Sequence, residues 1–140
     1  MNKSNKLERF LDPQKFMYEQ ALAEIHNGRK EDHWIWFIFP QLRGIGKSQL
    51  SYHYGIHDIE EAKAYYAHPI LGKRLREATQ LILQQTKELE EIFGYLDSMK
   101  VRSCMTLFFH ATGDEIFIKV IEKFFDGHED DLTIKLLKDE

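Results

Sequence analysis

The sequence predicts an all-α fold: a compact single-domain bundle of seven to eight helices over residues 1–140. Three observations carry this. Apolar residues recur at helical spacing through most of the chain. Cap residues and glycine stops punctuate those stripes at short intervals. One run, Trp34–Phe39, has the aromatic and isoleucine content of a buried strand. Nothing else in the chain reads as a strand to pair with it, so it is assigned to a helix.

Leu7, Phe10 and Leu11 suggest a short helical lead-in. Asp12-Pro13 then reads as an N-cap followed by proline in the first turn. It opens a helix over 13–27, with Tyr18, Leu22 and Ile25 on one face and Gly28 as its stop. Pro40 ends the Trp34–Phe39 run, and 43–51 is a loop holding Gly44 and Gly46. Asp58 and Glu61 have capping-box spacing and start a helix to about Ala67. His68-Pro69 ends it and starts the next, 69–86, with Leu71, Leu75, Ala78 and Ile82 as its stripe. Glu88–Phe93 is a short helix closed by Gly94. Asp97 opens a helix with Val101, Cys104, Met105 and Phe108 inward. Gly113-Asp114 separates it from one carrying Phe117, Val120, Ile121 and Phe124, which Gly127 stops. Asp130 or Asp131 caps a last helix with Leu132, Leu136 and Leu137.

A chain of 140 residues can bury about two-thirds of its unfolded surface, enough for a core without staples. Its net charge of −4 is unevenly spread. Residues 1–57 hold eight Lys and Arg against six Asp and Glu, and the excess of acid lies in the remainder. No basic stripe marks a general nucleic-acid binder, so no nucleic-acid partner is expected. A lone cysteine, Cys104, excludes an internal disulfide and a Cys-based zinc site, and fits a reducing compartment. It sits on an apolar stripe, as a packed core thiol does. Asn2 to Asp12 is polar, and the longest apolar run is six residues against the roughly twenty that span a bilayer. The expectation is a cytoplasmic protein with no membrane partner.

Several stretches together resemble one bacterial family, the domain of unknown function 1810 family. They are Gly28-Arg29-Lys30 with His33-Trp34-Ile35-Trp36-Phe37-Ile38-Phe39-Pro40-Gln41, then Gly44-Ile45-Gly46-Lys47-Ser48 and Tyr54-Gly55-Ile56. Glu61-Ala62 with Ala64-Tyr65-Tyr66, and His68-Pro69-x-Leu71-Gly72-x-Arg74-Leu75, follow. Asp97-x-x-Lys100, Ser103 and Met105-Thr106-Leu107-Phe108 complete the pattern, with Gly55 standing where alanine is usual. The resemblance implies a mainly helical single domain in the bacterial cytosol, and no reaction. Some members carry the label "calpastatin". Calpain inhibitors are disordered repeat chains, and a chain that is 13% aromatic with regular helix caps is a folded globule instead.

Candidate chemistry gathers between Arg29 and Ser48. Gly46-Lys47-Ser48 has the ending of a phosphate-binding loop, but Gln41 stands where that motif needs its first glycine. Gly44 and Gly46 amides with Lys47 and Ser48 at a helix start remain a candidate anion cradle. Arg29 and Lys30 follow a helix stop, either as partners of its dipole or as a cationic wall. His33 is the acid–base candidate of that wall, and equally a histidine tied to a backbone carbonyl. Trp34 and Trp36, two apart, cannot share a helix face, so one is core while the other could stack on a planar ligand. Gln41 closes the segment. His53-x-x-x-His57 has the spacing of a metal pair but lacks the glutamate of a metallopeptidase motif. Asp97, Lys100, Ser103 and Thr106 form a polar line, read as a solvated face or a cleft wall, and Arg74 is a candidate partner of Asp97. Two functional readings follow. One is a small-molecule domain for an anionic or nucleotide-like ligand, with His33 as the acid–base group and Arg29, Lys30, Trp36, Gln41, Lys47 and Ser48 as ligand residues. The other is a non-catalytic protein-interaction domain.

Overall fold

The structure is a computed structural model that describes residues 3–140. Among these, nine helices follow one another: α1 (Lys3–His26), α2 (Ile35–Ile38), α3 (Gln49–His53), α4 (Ile59–Ala67), α5 (Leu71–Leu83), α6 (Leu89–Phe93), α7 (Tyr95–Thr112), α8 (Glu115–Phe124) and α9 (Asp131–Lys138). No strand is formed among them. A single isolated parallel bridge joins Leu42 to Ile56. The all-α class is as the sequence predicts, with one helix more than expected: α3, in what reads as loop.

Local chemistry sets many helix ends where expected. Asp58, Asp114 and Asp130 side chains accept from Glu61, Ile116 and Thr133 N–H at the starts of α4, α8 and α9. Each such cap contributes about 1 kcal/mol. Gly28, Gly94, Gly113 and Gly127 follow helices with positive φ, the conformation that glycine adopts at least cost.

At Asp12-Pro13 the expectation fails. Helix α1 runs through Pro13 without a break. Proline there removes one backbone hydrogen bond, but Leu7, Phe10, Gln14, Tyr18, Ala21 and Ile25 are all buried along one face. Burying a large apolar side chain contributes about 1.5–3 kcal/mol, so packing on both sides of Pro13 outweighs a local stop signal.

Helix α7 lies at the centre, packed on α4, α6, α8 and α9, while α5 joins α1, α4 and α8. Residues from Ser103 to Phe108 are buried without interruption, as befits a helix surrounded by others. The polar line on α7 therefore corrects in part. Asp97 and Lys100 pair at 3.0 Å near the surface. Ser103 and Thr106 are buried, neither solvated nor on a cleft, and their hydroxyls donate to Met99 O and Arg102 O. Arg74 does not reach Asp97. It bonds Gln14 Oε1 and lies over the Tyr18 ring.

The Trp34–Phe39 run is one helical turn, and Glu24 of α1 holds its approach. Glu24 Oε1 accepts from Glu31 N–H, Asp32 N–H and Trp34 Nε1, and Oε2 accepts from Gln20 Nε2. Burial pushes this carboxyl up, but the donors from Glu31, Asp32 and Trp34 outweigh it and hold it below the usual glutamate range.

Candidate anion-binding pocket

A chain segment pinned at both ends frames the pocket. Gln41 O accepts from Ile56 N–H and Ile56 O from Arg43 N–H, both at 2.8 Å. Leu42 and Ile56 are buried and anchor this bridge in the core. Residues 43–55 therefore close on themselves, with α3 inside the loop. Ser48 starts α3 by accepting from Ser51 N–H. Closure folds Arg43 back on α3: its Nε donates to Tyr52 O at 2.9 Å, and its guanidinium carbon lies 4.2 Å from the Tyr52 ring centroid.

Arg9 fastens this loop to the bundle. Its Nε donates to His53 O and its Nη2 to Gly55 O, each at 2.9 Å, and Nη1 donates to Lys6 O. Nη1 and Nη2 also grip the Glu61 carboxylate at 3.1 and 2.6 Å. Those five bonds use all five guanidinium donors, so Arg9 builds the site and has none to spare. Glu61 is 4% exposed, and its Oε1 also accepts from His57 N–H. Burial alone would raise its carboxyl. Arg9 hydrogen bonds, the His57 N–H and the Arg9 charge together bring it below the usual glutamate range. The acid is ionised and already neutralised by Arg9.

Around this pair opens a cavity of about 310 Å³, lined by Lys6, Arg9, Arg43, Tyr52, His53, His57 and Glu61. Small-molecule sites begin at about that size. Apart from the two histidines, the lining holds three cations and one acid. Once Arg9 and Glu61 cancel, Lys6 and Arg43 remain, and among the described residues neither has an ion-pair partner. His53 ends α3 with its ring 4.6 Å from that of Tyr54, and His57 lies before α4 with Nδ1 3.3 Å from Asp58 Oδ2. The two histidines thus share a cavity but not a helix face. Among the described residues no group of three or more His, Cys, Asp and Glu side chains is placed to hold a metal ion.

Of the 28–48 segment, Arg43 alone lines this cavity. Arg29, His33, Lys47 and Ser48 are exposed. Lys30 pairs with Asp97 at 2.9 Å, its ammonium 5.3 Å from the Trp34 ring centroid. Lys100, the other partner of Asp97, lies 4.0 Å over the half-buried Trp36 ring. Burial would raise Asp97, but the Lys30 and Lys100 ammoniums outweigh it and hold the carboxyl low. Gln41 is buried. The expected ligand residues therefore occupy separate surroundings: the surface loop, the α7 contact and the core. Sequence reasoning passed over Lys6, Arg9, Tyr52 and Glu61. One signal was legible: Glu61 shares a face with Ala62 and Tyr65, and an acid on an inward face requires a partner.

A family model described as a protein of unknown function (DUF1810) matches residues 4–137. The chain belongs to that family. Among solved structures it is similar to the conserved hypothetical protein Rv1873 from Mycobacterium tuberculosis, at 46% identity and a TM-score of 0.92. That match covers 94% of this chain and 96% of the other. No curated protein matches the chain. Family membership thus brings a fold and no chemistry, and no helix among the described residues is long and apolar enough to cross a membrane.

Proposed function

We propose that this protein binds an anionic small molecule in the pocket between α1, the 43–55 loop and the start of α4. One observation carries the reading. The Arg43 guanidinium is held in place by Tyr52, through both a backbone carbonyl and the ring face, and among the described residues neither its terminal nitrogens nor the neighbouring Lys6 ammonium has an acid partner. A cation fixed before its ligand arrives spends little entropy on binding, which is the condition for a useful anion site. The ligand class is the one expected from sequence. The place differs: it lies behind Arg43 and not on Lys47, Ser48 and His33.

Thermal shift of the full chain against nucleotides, ADP-ribose and sugar phosphates tests this. Hits should weaken as salt rises, because part of the attraction is screened. They should weaken in Lys6→Ala and Arg43→Lys and persist in Lys47→Ala and Arg29→Ala. Hits lost only in Lys47→Ala would return the site to the exposed loop. No hits would remove the reading.

A further inference from the structure

We propose that the pocket is built for a phosphomonoester dianion whose organic part lies on Tyr52. This rests on the anion reading above and names the occupant.

The charge count comes first. Both Glu61 oxygens are taken by Arg9, and one also by the His57 N–H. What remains in the lining is two permanent positive charges, Lys6 and Arg43. A dianion is neutralised by that pair, and a monoanion leaves one cation unmet.

Geometry comes second. The donors not already used arrive from three places along the chain: Lys6 on α1, Arg43 at the loop's start and His53 at the end of α3, while the His57 ring turns its Nδ1 to Asp58. A carboxylate is flat and offers two oxygens in one plane. A phosphoryl group offers three terminal oxygens on a tetrahedral centre, which suits donors that surround a volume. Arg43 keeps both terminal nitrogens as a fork, the arrangement that meets two phosphate oxygens at once.

The apolar wall comes third. Tyr52 is 65% exposed although it lines the cavity, with the guanidinium against its ring. Inorganic phosphate would leave that surface wet. An ester with a ring or sugar covers it, so the organic part adds affinity to the charge.

Isothermal titration of the full chain at neutral to slightly alkaline pH tests this with phenyl phosphate, phenyl sulfate, phthalate, inorganic phosphate and adenosine 5′-monophosphate. Phenyl sulfate keeps the shape of phenyl phosphate and carries one charge fewer. Phthalate keeps two charges but carries them on two planar carboxylates. We expect phenyl phosphate to bind at least tenfold more tightly than either, and more tightly than inorganic phosphate. Adenosine 5′-monophosphate should bind at least as well as phenyl phosphate. Arg43→Lys should weaken phenyl phosphate about tenfold or more. Because Arg43 also helps close the loop, Lys6→Ala, at an exposed residue, serves as the second variant and should weaken it severalfold. Equal binding of phenyl sulfate or phthalate, lost in the same variants, would overturn the phosphomonoester assignment and leave the anion site standing. Phosphate-ester binding that neither variant weakens would overturn both, as would no binding by any of the five.

Discussion

Replacing Glu24 tests how a buried acid holds the tryptophan segment. Its Oε1 takes three donors, from Glu31 N–H at 2.7 Å, Asp32 N–H at 3.1 Å and Trp34 Nε1 at 2.8 Å. Trp34 is fully buried, so in Glu24→Ala the indole N–H has no water to turn to. A stranded buried donor costs about 1–3 kcal/mol. Glu31 is exposed and Asp32 half-buried, so their amides can rebond to water, each losing about 0.5–1.5 kcal/mol. The expected cost of Glu24→Ala is therefore about 3–4 kcal/mol, or a fall in Tm of about 10 °C for a domain of this size. Glu24→Gln differs. Its amide oxygen can keep all three donors, while its NH₂ meets Gln20, whose own amide can rotate to present oxygen. Only the assistance of the negative charge is lost, about 1–2 kcal/mol. Urea unfolding followed by tryptophan fluorescence and far-ultraviolet circular dichroism, with an unchanged m-value, measures both. If Glu24→Gln costs as much as Glu24→Ala, the carboxylate acts through charge and not as a shared acceptor. If Glu24→Ala costs under 1 kcal/mol, the account of the segment is wrong.

Acid should destabilise this protein through Glu24, Glu61 and Asp97. All three are held below their ordinary range when folded, so they contribute stability that is complete above about pH 4.3 and lost as pH falls through their lowered values. Unfolding free energy measured from pH 6 to pH 2.5 should show that slope, and Glu61→Gln should flatten it. Cys104 is fully buried and its thiol is pushed up by burial, so a thiol reagent should modify the native chain far more slowly than the urea-unfolded one; equal rates would contradict its place in α7. Gly72→Ala should destabilise by about 3 kcal/mol or more, because a Cβ there would lie 1.9 Å from Tyr66 O, a backbone atom with no rotamer to escape into. Equilibrium unfolding of that variant near the parent midpoint would show that the α4–α5 junction can shift.

Much of the fold was written within a few residues of where it is used. Asp58, Asp114 and Asp130 cap helices by bonding backbone two or three positions on, and Gly94 and Gly113 stop them by their own φ. Such chemistry needs no knowledge of the rest of the chain. The stripes of α5, α7 and α8 likewise follow from spacing alone, and with them the inward place of Cys104.

Long-range packing decided the rest. Pro13 reads as a start by every local rule, yet burial before and after it makes it interior. Lys30 and Trp36 share one short segment, but Asp97 and Lys100, far along the chain, take them into a structural contact with α7. In the pocket, Arg43 belonged to the segment singled out from sequence, and His53 and His57 stood out only for their spacing. Arg9 meets Glu61 across 52 positions and His53 across 44. Nothing local distinguishes such an arginine from a solvated one. Its role depends on which helices close around it, and that is fixed by the burial of residues elsewhere.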